Sequence, residues 1–332
     1  MKNNLLVLLS ILLISLFGCK SDVNYRKISG SAFASTYHVV YKDSANLDLS
    51  IQIDSVLDAI NTSLSVYDPN SVVSRINSNK TTFVDSVFVR AFAVCKLVSD
   101  SSKGAFDITS APLINAWGFG NKRRANLDEL KIDSLLQYVG YKMVLVVDGS
   151  IRKDNSKVIM DLSSVGDGFA VDEVVSILER SGITNYMVEI GGEVKARGLS
   201  ARSDSWRIGI DKPIDDSLAL NRELNAVVIL DGLSLSTSGS YRKYFIRDGK
   251  KYSHFIDPYT GRPVTHTLLS ASVIHSSCAI ADGFSTAFMV MGLEKSLAYL
   301  KNDTTLAAYF IFQDGDSLKV QTANGFKKYL SK

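Results

Sequence analysis

The chain of 332 residues is poor in the residues that build disulfide-rich or zinc-stabilised folds: it has three cysteines, four histidines and five prolines. The spacing of the cysteines excludes a zinc knuckle. Lysine and arginine (37) barely outnumber aspartate and glutamate (34), and the basic residues are scattered, which argues against a nucleic-acid-binding protein. No internal repeat, low-complexity tract or long Pro/Gly/Ser linker occurs, so we expect one compact folded body behind the N-terminus.

Two nucleotide-binding signatures are also missing. No GxGxxG motif follows an expected strand, and no GxxxxGK[ST] motif occurs, so Rossmann and P-loop folds lack support. The remaining pattern places most helices in the first half and most strands after Tyr186, which predicts an α+β fold with mixed or antiparallel sheets and flanking helices. Predicted helices cover 53–64, 85–104, 127–138, 169–180, 281–291 and 294–301, and strands before residue 186 cover 25–42, 143–147 and 157–161.

The first residues predict export. A short basic start and the apolar run Leu5–Phe17 are typical of a signal peptide and too short to span a bilayer. The run ends in "LFGC", which is similar to a bacterial lipobox, so residues 1–18 would be removed and Cys19 would carry the lipid. Residues 19–28 would then tether a domain of residues 29–332 to the cell membrane on its periplasmic or extracytoplasmic side. The alternative is an ordinary secretory signal.

The other two cysteines, Cys95 and Cys278, would lie in an oxidising compartment, where a disulfide between them is arithmetically possible. Cys95 falls on the apolar face of the helix predicted at 85–104. This position favours a buried structural thiol.

A carboxylate and a hydroxyl lie four residues apart at the start of a predicted helix. Asp282 and Thr286 therefore share one helix face and offer the hard oxygen ligands that Mg²⁺ prefers. The alternative is an N-cap aspartate followed by a threonine that bonds its own helix backbone.

Three further stretches carry candidate functional residues. "DLSSVGDGFAVDE" (161–173) predicts a strand, a glycine turn and a helix whose N-terminus faces a phosphate or a cation, or else only a tight turn. "GAFDITSAPLINAWGFG" (104–120) supplies aromatics that stack on a heterocycle or fill the core. His254, in "SHFIDPYTG" (253–261), has an ordinary pKa suited to a general base, although a single histidine is often structural.

Together these stretches resemble the ApbE family of flavin transferases. The resemblance rests on ten motifs that occur in order. They are "FAST" (33–36), "LSVYDPNSVVSRIN" (64–77), "GAFDIT" (104–109), "WGFG" (117–120), "DLSSVGDGFAVD" (161–172), "VEIGGEV" (188–194), "WRIGI" (206–210), "STSGSYRKYF" (236–245), "YSHFIDPYTGRPV" (252–264) and "ADGFSTAFMVMG" (281–292).

The resemblance implies an enzyme that splits FAD with Mg²⁺, moves FMN onto a threonine hydroxyl of an acceptor protein and releases AMP. The acceptor would be a subunit of a membrane electron-transport complex, and a lipid-anchored enzyme suits such a partner. Two alternatives remain: hydrolysis of FAD to FMN and AMP, and a non-catalytic flavin-binding lipoprotein.

The resemblance also implies roles for single residues. His254 would be the catalytic base. The metal ligands would be Gly166 through its carbonyl, Asp282 and Thr286. The FAD site would contain Ala34, Tyr67, Ala105, Phe106, Asp107, Ser163, Phe169 and Ser253. The chain departs from common family forms at Ala34 and Ser35, at Val72 and Asp167, and at Phe169, where tyrosine is frequent.

Overall fold

The computed structural model describes residues 24–43, 45–120, 127–214, 223–241, 243–247 and 249–331. The predicted signal peptide and Cys19 lie outside these residues. The helices are α1 Ser50–Leu64, α2 Val72–Asn77, α3 Ser86–Ser101, α4 Ala111–Trp117, α5 Glu129–Leu136, α6 Gly166–Arg180 and α7 Cys278–Leu300. Among the described residues, no helix combines the length and the apolar character that crossing a bilayer requires.

The strands form one large sheet and four small ribbons within the described ranges. They are β1 Tyr25–Ala32, β2 Ser35–Lys42, β3 Val144–Val147, β4 Ser150–Lys153, β5 Tyr186–Ile190, β6 Glu193–Arg197, β7 Trp206–Asp211, β8 Leu224–Leu230, β9 Leu233–Gly239, β10 Tyr244–Arg247, β11 Lys250–Ser253, β12 Ile256–Asp257, β13 Arg262–Pro263, β14 Leu268–His275, β15 Ala307–Asp314 and β16 Ser317–Ala323. The large sheet has the order β1-β2-β5-β6-β9-β14-β15-β16, and all its pairs are antiparallel.

The large sheet separates two apolar clusters. On one face, α6 and α7 pack against the central strands and against each other, with α1 and α3 outside them. On the other face, the β7–β8 ribbon and the C-terminal 3₁₀ turn cover the sheet through Trp206 and Phe326. A sheet flanked by helices on one face is the α+β arrangement that the sequence predicts.

Several boundaries differ from the prediction. The strand expected at 25–42 is two strands joined by a turn at Phe33 and Ala34. The two helices expected after residue 281 are both found within Cys278–Leu300, because Gly292 interrupts the helix with φ 76° and ψ 172°, but the first begins three residues earlier than expected.

The strand predicted at 157–161 is wrong. Val158 and Met160 are both buried, which reproduces the period-two pattern of a strand. The Met160 backbone bonds the Asn77 side chain in both directions, and the Asp161 amide donates to the carbonyl of Ile108. A buried loop anchored to a side chain and to another loop therefore imitates the apolar alternation of a strand.

The turn between β1 and β2 permits a stability prediction. Phe33 and Ala34 have φ values of 54° and 62°, a conformation that favours glycine because a Cβ atom crowds the carbonyl. We expect Ala34→Gly to raise the free energy of unfolding by about 1 kcal/mol, measured by urea denaturation. Ala32→Gly, inside β1, is the control and should lower it. A fall in stability for Ala34→Gly would contradict this account.

The two described cysteines are both buried and unbridged. Cys95 lies on the buried face of α3, whose N-terminus is capped by the Asp85 carboxylate accepting from the Phe88 amide at 2.7 Å. Burial raises the pKa of both thiols. Cys95 is therefore the buried structural thiol that its position in the sequence favours.

Candidate active site

A cleft of about 390 Å³ opens beside the N-terminal halves of α6 and α7 and the end of β9. Its wall brings together residues from at least six parts of the described chain. They include Ala105–Asp107, Asp161 with Ser163, Ser164 and Asp167, Gly191 with Glu193, Thr237–Gly239 with Lys243, His254–Ile256 with Pro258, and Asp282 with Thr286. The motifs that are separated in sequence therefore meet at one cavity.

Asp282 lies at the contact between α6 and α7, where the two helices approach closely. A Cβ on Gly168 would lie 2.6 Å from the Cys278 carbonyl oxygen and 2.8 Å from the Asp282 Cβ, so this contact requires glycine. The Gly168 amide donates to Asp282 Oδ2 at 3.1 Å, and the Ser236 hydroxyl donates to Oδ1 at 3.4 Å. The carboxylate is 8% exposed and lines the cleft.

Hydroxyl groups surround this carboxylate. Thr286, one helical turn after Asp282, places Oγ1 3.3 Å from the hydroxyl of Ser238 on β9. Ser238 also lies 2.8 Å from the hydroxyl of Ser285, which donates to the Asp282 carbonyl. The wall thus presents neutral and anionic oxygens, the donor type suited to Mg²⁺.

Two further carboxylates lie near Asp282. Burial raises the pKa of Asp282 well above its usual value, and the negative charge of Asp167 raises it further. Burial raises the pKa of Asp167 to about 6. Burial also raises the pKa of Glu193, with added repulsion from Asp282 and Asp167. Gly191 permits this cluster, because a Cβ there would lie 2.4 Å from Asp167 Oδ2.

The raised carboxylate pKa values predict how stability depends on pH when no divalent cation is present. Their folded-state pKa values exceed the unfolded value near 4, so the stability that they contribute is present below about pH 4 and is lost as pH rises, for Asp167 through about pH 6. In EDTA we expect the free energy of unfolding to fall by roughly 1–3 kcal/mol between pH 5 and 7.5. Mg²⁺ should restore stability at pH 7.5. A flat or rising thermal denaturation profile in EDTA would contradict the prediction.

His254 directly follows β11 and lines the same cleft. Its Nδ1 lies 3.2 Å from the carbonyl oxygen of Lys243, and its own amide donates to that carbonyl. A carbonyl only accepts, so Nδ1 carries the proton and Nε2 is left as the acceptor. Burial lowers the pKa of His254 to about 4, which keeps the imidazole neutral near pH 7.

The segments around His254 are held by aromatic packing and by the following turn. The Phe119 ring packs edge-on against the His254 ring, with 6.3 Å between the ring centres, and stacks on the Phe245 ring, with 5.2 Å between the ring centres. The Asp257 carboxylate accepts from the Tyr259 amide at 2.8 Å, and Trp117 Nε1 donates to the Gly261 carbonyl at 2.8 Å. Asp257 and its turn therefore fix the end of the chain segment that carries the histidine.

No three His, Cys, Asp or Glu side chains in the described ranges are arranged to hold a metal ion. A cation at this wall would therefore need mixed donors, in which one carboxylate is joined by hydroxyl or carbonyl oxygens, water and ligand oxygens. Mg²⁺ in nucleotide-processing sites has this kind of coordination.

A sequence model of the ApbE family matches residues 33–310. The chain belongs to the ApbE family. An FAD:protein FMN transferase of Vibrio cholerae serotype O1 is 34% identical over 342 residues, which cover 100% of both chains. One from Escherichia coli K12 is 35% identical over 292 residues, covering 85% of this chain and 82% of its own.

Solved ApbE structures give the same result. The flavin transferase ApbE from Vibrio cholerae superposes with a TM-score of 0.82 at 30% identity, covering 92% of this chain and 99% of its own. The family, the α+β fold and the enzyme class predicted from the sequence are therefore confirmed.

Most residues that the ApbE motifs single out lie on the cleft. They are His254, Tyr67, Ala105, Phe106, Asp107, Ser163, Asp282 and Thr286. Tyr67 is 75% exposed at the rim, whereas Phe106 is buried. Asp107 accepts bonds from the Thr109 amide and hydroxyl and from the Tyr141 amide, so it shapes its loop as well as lining the cleft.

Four motif residues lie elsewhere among the described residues. Ala34 is in the β1–β2 turn, and Phe169 packs into the core with the Arg90 guanidinium 6.0 Å from its ring centre. Gly166 begins α6, two residues before the Gly168 contact. The Ser253 hydroxyl is buried and has no hydrogen-bond partner among the described residues. Their roles in binding FAD or metal remain predictions.

Several polar residues of the cleft were not predicted from the sequence, among them Glu193, Thr237, Ser238 and Lys243. All four belong to quoted ApbE motifs, "VEIGGEV" and "STSGSYRKYF". The motifs could have identified these segments as part of the site. A hydroxyl-rich turn beside a strand does not reveal, however, which of its side chains face a cavity.

Proposed function

We propose that the protein transfers FMN from FAD to a threonine hydroxyl of an acceptor protein and releases AMP, with Mg²⁺ as the cofactor. Its membership of the ApbE family supports flavin transfer. The observation that supports the remaining details is one cleft lined both by the oxygen-rich wall of Asp282 and Thr286 and by the neutral imidazole of His254.

The residues fit Mg²⁺. Burial and the negative charge of Asp167 raise the pKa of Asp282, and Asp282 in turn adds to the burial that raises the pKa of Glu193. No ion pair with Asp282 occurs among the described residues. A divalent cation would relieve this repulsion. Asp282 and Thr286 would hold it, with the Gly166 carbonyl at the start of α6. When bound, Mg²⁺ neutralises charge on the diphosphate oxygens.

His254 would take the proton in the transfer. The threonine oxygen attacks the phosphorus of the FMN half, and its proton passes to His254 Nε2. The bond from that phosphorus to the bridging oxygen breaks, and AMP leaves with the electron pair. The Lys243 carbonyl holds the Nδ1–H, so the ring keeps the tautomer that can accept the proton.

The composition of the first residues supports a proposal for the location of the enzyme. We propose that Cys19 carries the lipid and that the domain lies on the extracytoplasmic side of the cell membrane. The acceptor is then a threonine-bearing subunit of a membrane electron-transport complex. The anchor is tested by growing cells that express the protein with a radioactive fatty acid. We expect the protein to be labelled, and we expect Cys19→Ser to abolish its label.

The proposed activity is tested by incubating the purified protein with FAD, Mg²⁺ and a candidate acceptor subunit. We expect mass spectrometry to find one FMN on an acceptor threonine, together with an equal amount of AMP. The control is the same mixture without acceptor. AMP release at the same rate without acceptor, and no covalent flavin with it, would indicate FAD hydrolysis instead.

A further inference from the structure

The cleft is lined mainly by acidic side chains, although the proposed ligand, FAD, carries a negatively charged diphosphate. Five carboxylates line it, namely Asp107, Asp161, Asp167, Glu193 and Asp282. Among the described lining residues, Lys243 is the only lysine or arginine. A diphosphate entering this cleft would meet mostly negative charge, so it needs cationic contacts to bind.

Lys243 precedes β10, on the loop that leads from β9 to the hairpin before His254. Its ammonium charge affects the pKa of two residues that line the cleft. It opposes the burial that raises the pKa of Asp167, and it adds to the burial that lowers the pKa of His254. The lysine charge therefore acts on both Asp167 and the proposed base.

The ammonium group is available to a ligand. Lys243 is exposed, and no carboxylate in the described part of the chain lies within ion-pair distance of it. Its backbone, in contrast, is fixed, because its carbonyl accepts the His254 amide and faces Nδ1 at 3.2 Å. The residue combines an anchored backbone with a charge that forms no ion pair with a carboxylate of the described residues.

We propose that Lys243 is the protein's own cationic contact for the diphosphate of the dinucleotide substrate. The inference rests on the proposed function, since it presumes that FAD occupies this cleft. A lysine is a compact point charge on a flexible stem, so it can follow a phosphate oxygen while its carbonyl keeps His254 in place. The side chain thus binds the substrate, and the backbone orients the base.

The experiment measures FAD affinity, in saturating Mg²⁺, for the full mature chain and three variants. Lys243→Met removes the charge, and Lys243→Arg keeps it. Lys251→Met makes the same charge change on the neighbouring hairpin, where the ammonium lies 4.0 Å from the centre of the Tyr244 ring. Flavin fluorescence gives each Kd, so the readout does not depend on transfer. Riboflavin, which lacks both phosphates, is titrated in parallel.

We expect Lys243→Met to raise the Kd for FAD by about 10- to 100-fold, and high salt to reduce this difference. Lys243→Arg and Lys251→Met should stay within about 3-fold of wild type, and the Lys243→Met change should not weaken riboflavin binding. An unchanged Kd for Lys243→Met, or an Arg variant as weak as the Met variant, would overturn the inference.

The two proposals fail separately. If wild type transfers FMN while Lys243→Met binds FAD as wild type does, the phosphate contact is wrong and the transferase is right. If the Kd differences appear as expected but no acceptor receives FMN, the phosphate contact stands and the transferase reaction does not.

Discussion

Asp282→Asn is expected to lower the rate of FMN transfer by at least about 10²–10³-fold and, at the same time, to stabilise the metal-free protein. The carboxylate is the anionic donor that the proposed Mg²⁺ site needs. Without a cation, the same charge is buried, and both burial and the negative charge of Asp167 raise the pKa of Asp282. The amide keeps an oxygen for the Gly168 N–H and removes the charge, so the free energy of unfolding in EDTA at pH 7.5 should rise by about 1–3 kcal/mol.

Asp172→Asn is the matched control for this experiment. Asp172 accepts from the Ser277 hydroxyl and from the amides of Cys278 and Ala279, so it caps the same helix that carries Asp282. Its substitution should lower stability by about 1–2 kcal/mol without a comparable fall in turnover. Thermal denaturation in EDTA and single-turnover transfer rates distinguish the two variants. Wild-type transfer by Asp282→Asn would remove this residue from the mechanism.

His254→Gln is expected to slow transfer by about 10²–10⁴-fold while leaving the Kd for FAD within about 3-fold of wild type. Glutamine has similar reach and can donate to the Lys243 carbonyl, but it cannot take the threonine proton. The comparison of single-turnover rates with FAD titrations separates loss of the base from loss of binding.

The pH dependence gives a second readout for His254. With its pKa lowered to about 4, the imidazole is neutral from about pH 5.5 upward, so its titration should reduce the wild-type rate only below about pH 5. His275→Gln is the control, since His275 lines a different cavity, and it should keep the wild-type profile. A rate that halves near pH 6.5 in wild type but not in His254→Gln would contradict the lowered pKa of His254.

The sequence predicted helices correctly where apolar periodicity and helix caps determine them. The helix predicted at 85–104 is observed as α3, which begins after the Asp85 cap. Helical periodicity placed α1 and α6 within a few residues, because one apolar stripe is enough to specify a helix that covers a sheet. The alternating burial of Val158 and Met160 arises in a loop and not in a paired strand. The periodicity of apolar residues therefore predicted a strand that does not exist.

The position of Phe169 shows a different limit. It follows the glycine turn of an ApbE motif, which places it near the cleft in sequence. The rotation of α6 turns its ring into the core instead. A helix face is chosen by the packing of the whole element, and one motif does not contain that information.

The sequence by itself determined the ApbE family, the α+β class and the residues His254, Asp282 and Thr286 as candidates for chemistry. Only the tertiary structure decided that Glu193 and Asp167 crowd Asp282 and that Lys243 is the cation facing them. The Gly168 amide reaches Asp282 across 114 residues of chain. The reason is physical: repulsion and burial depend on distances through space, and these are set when α6 closes on α7 against the sheet.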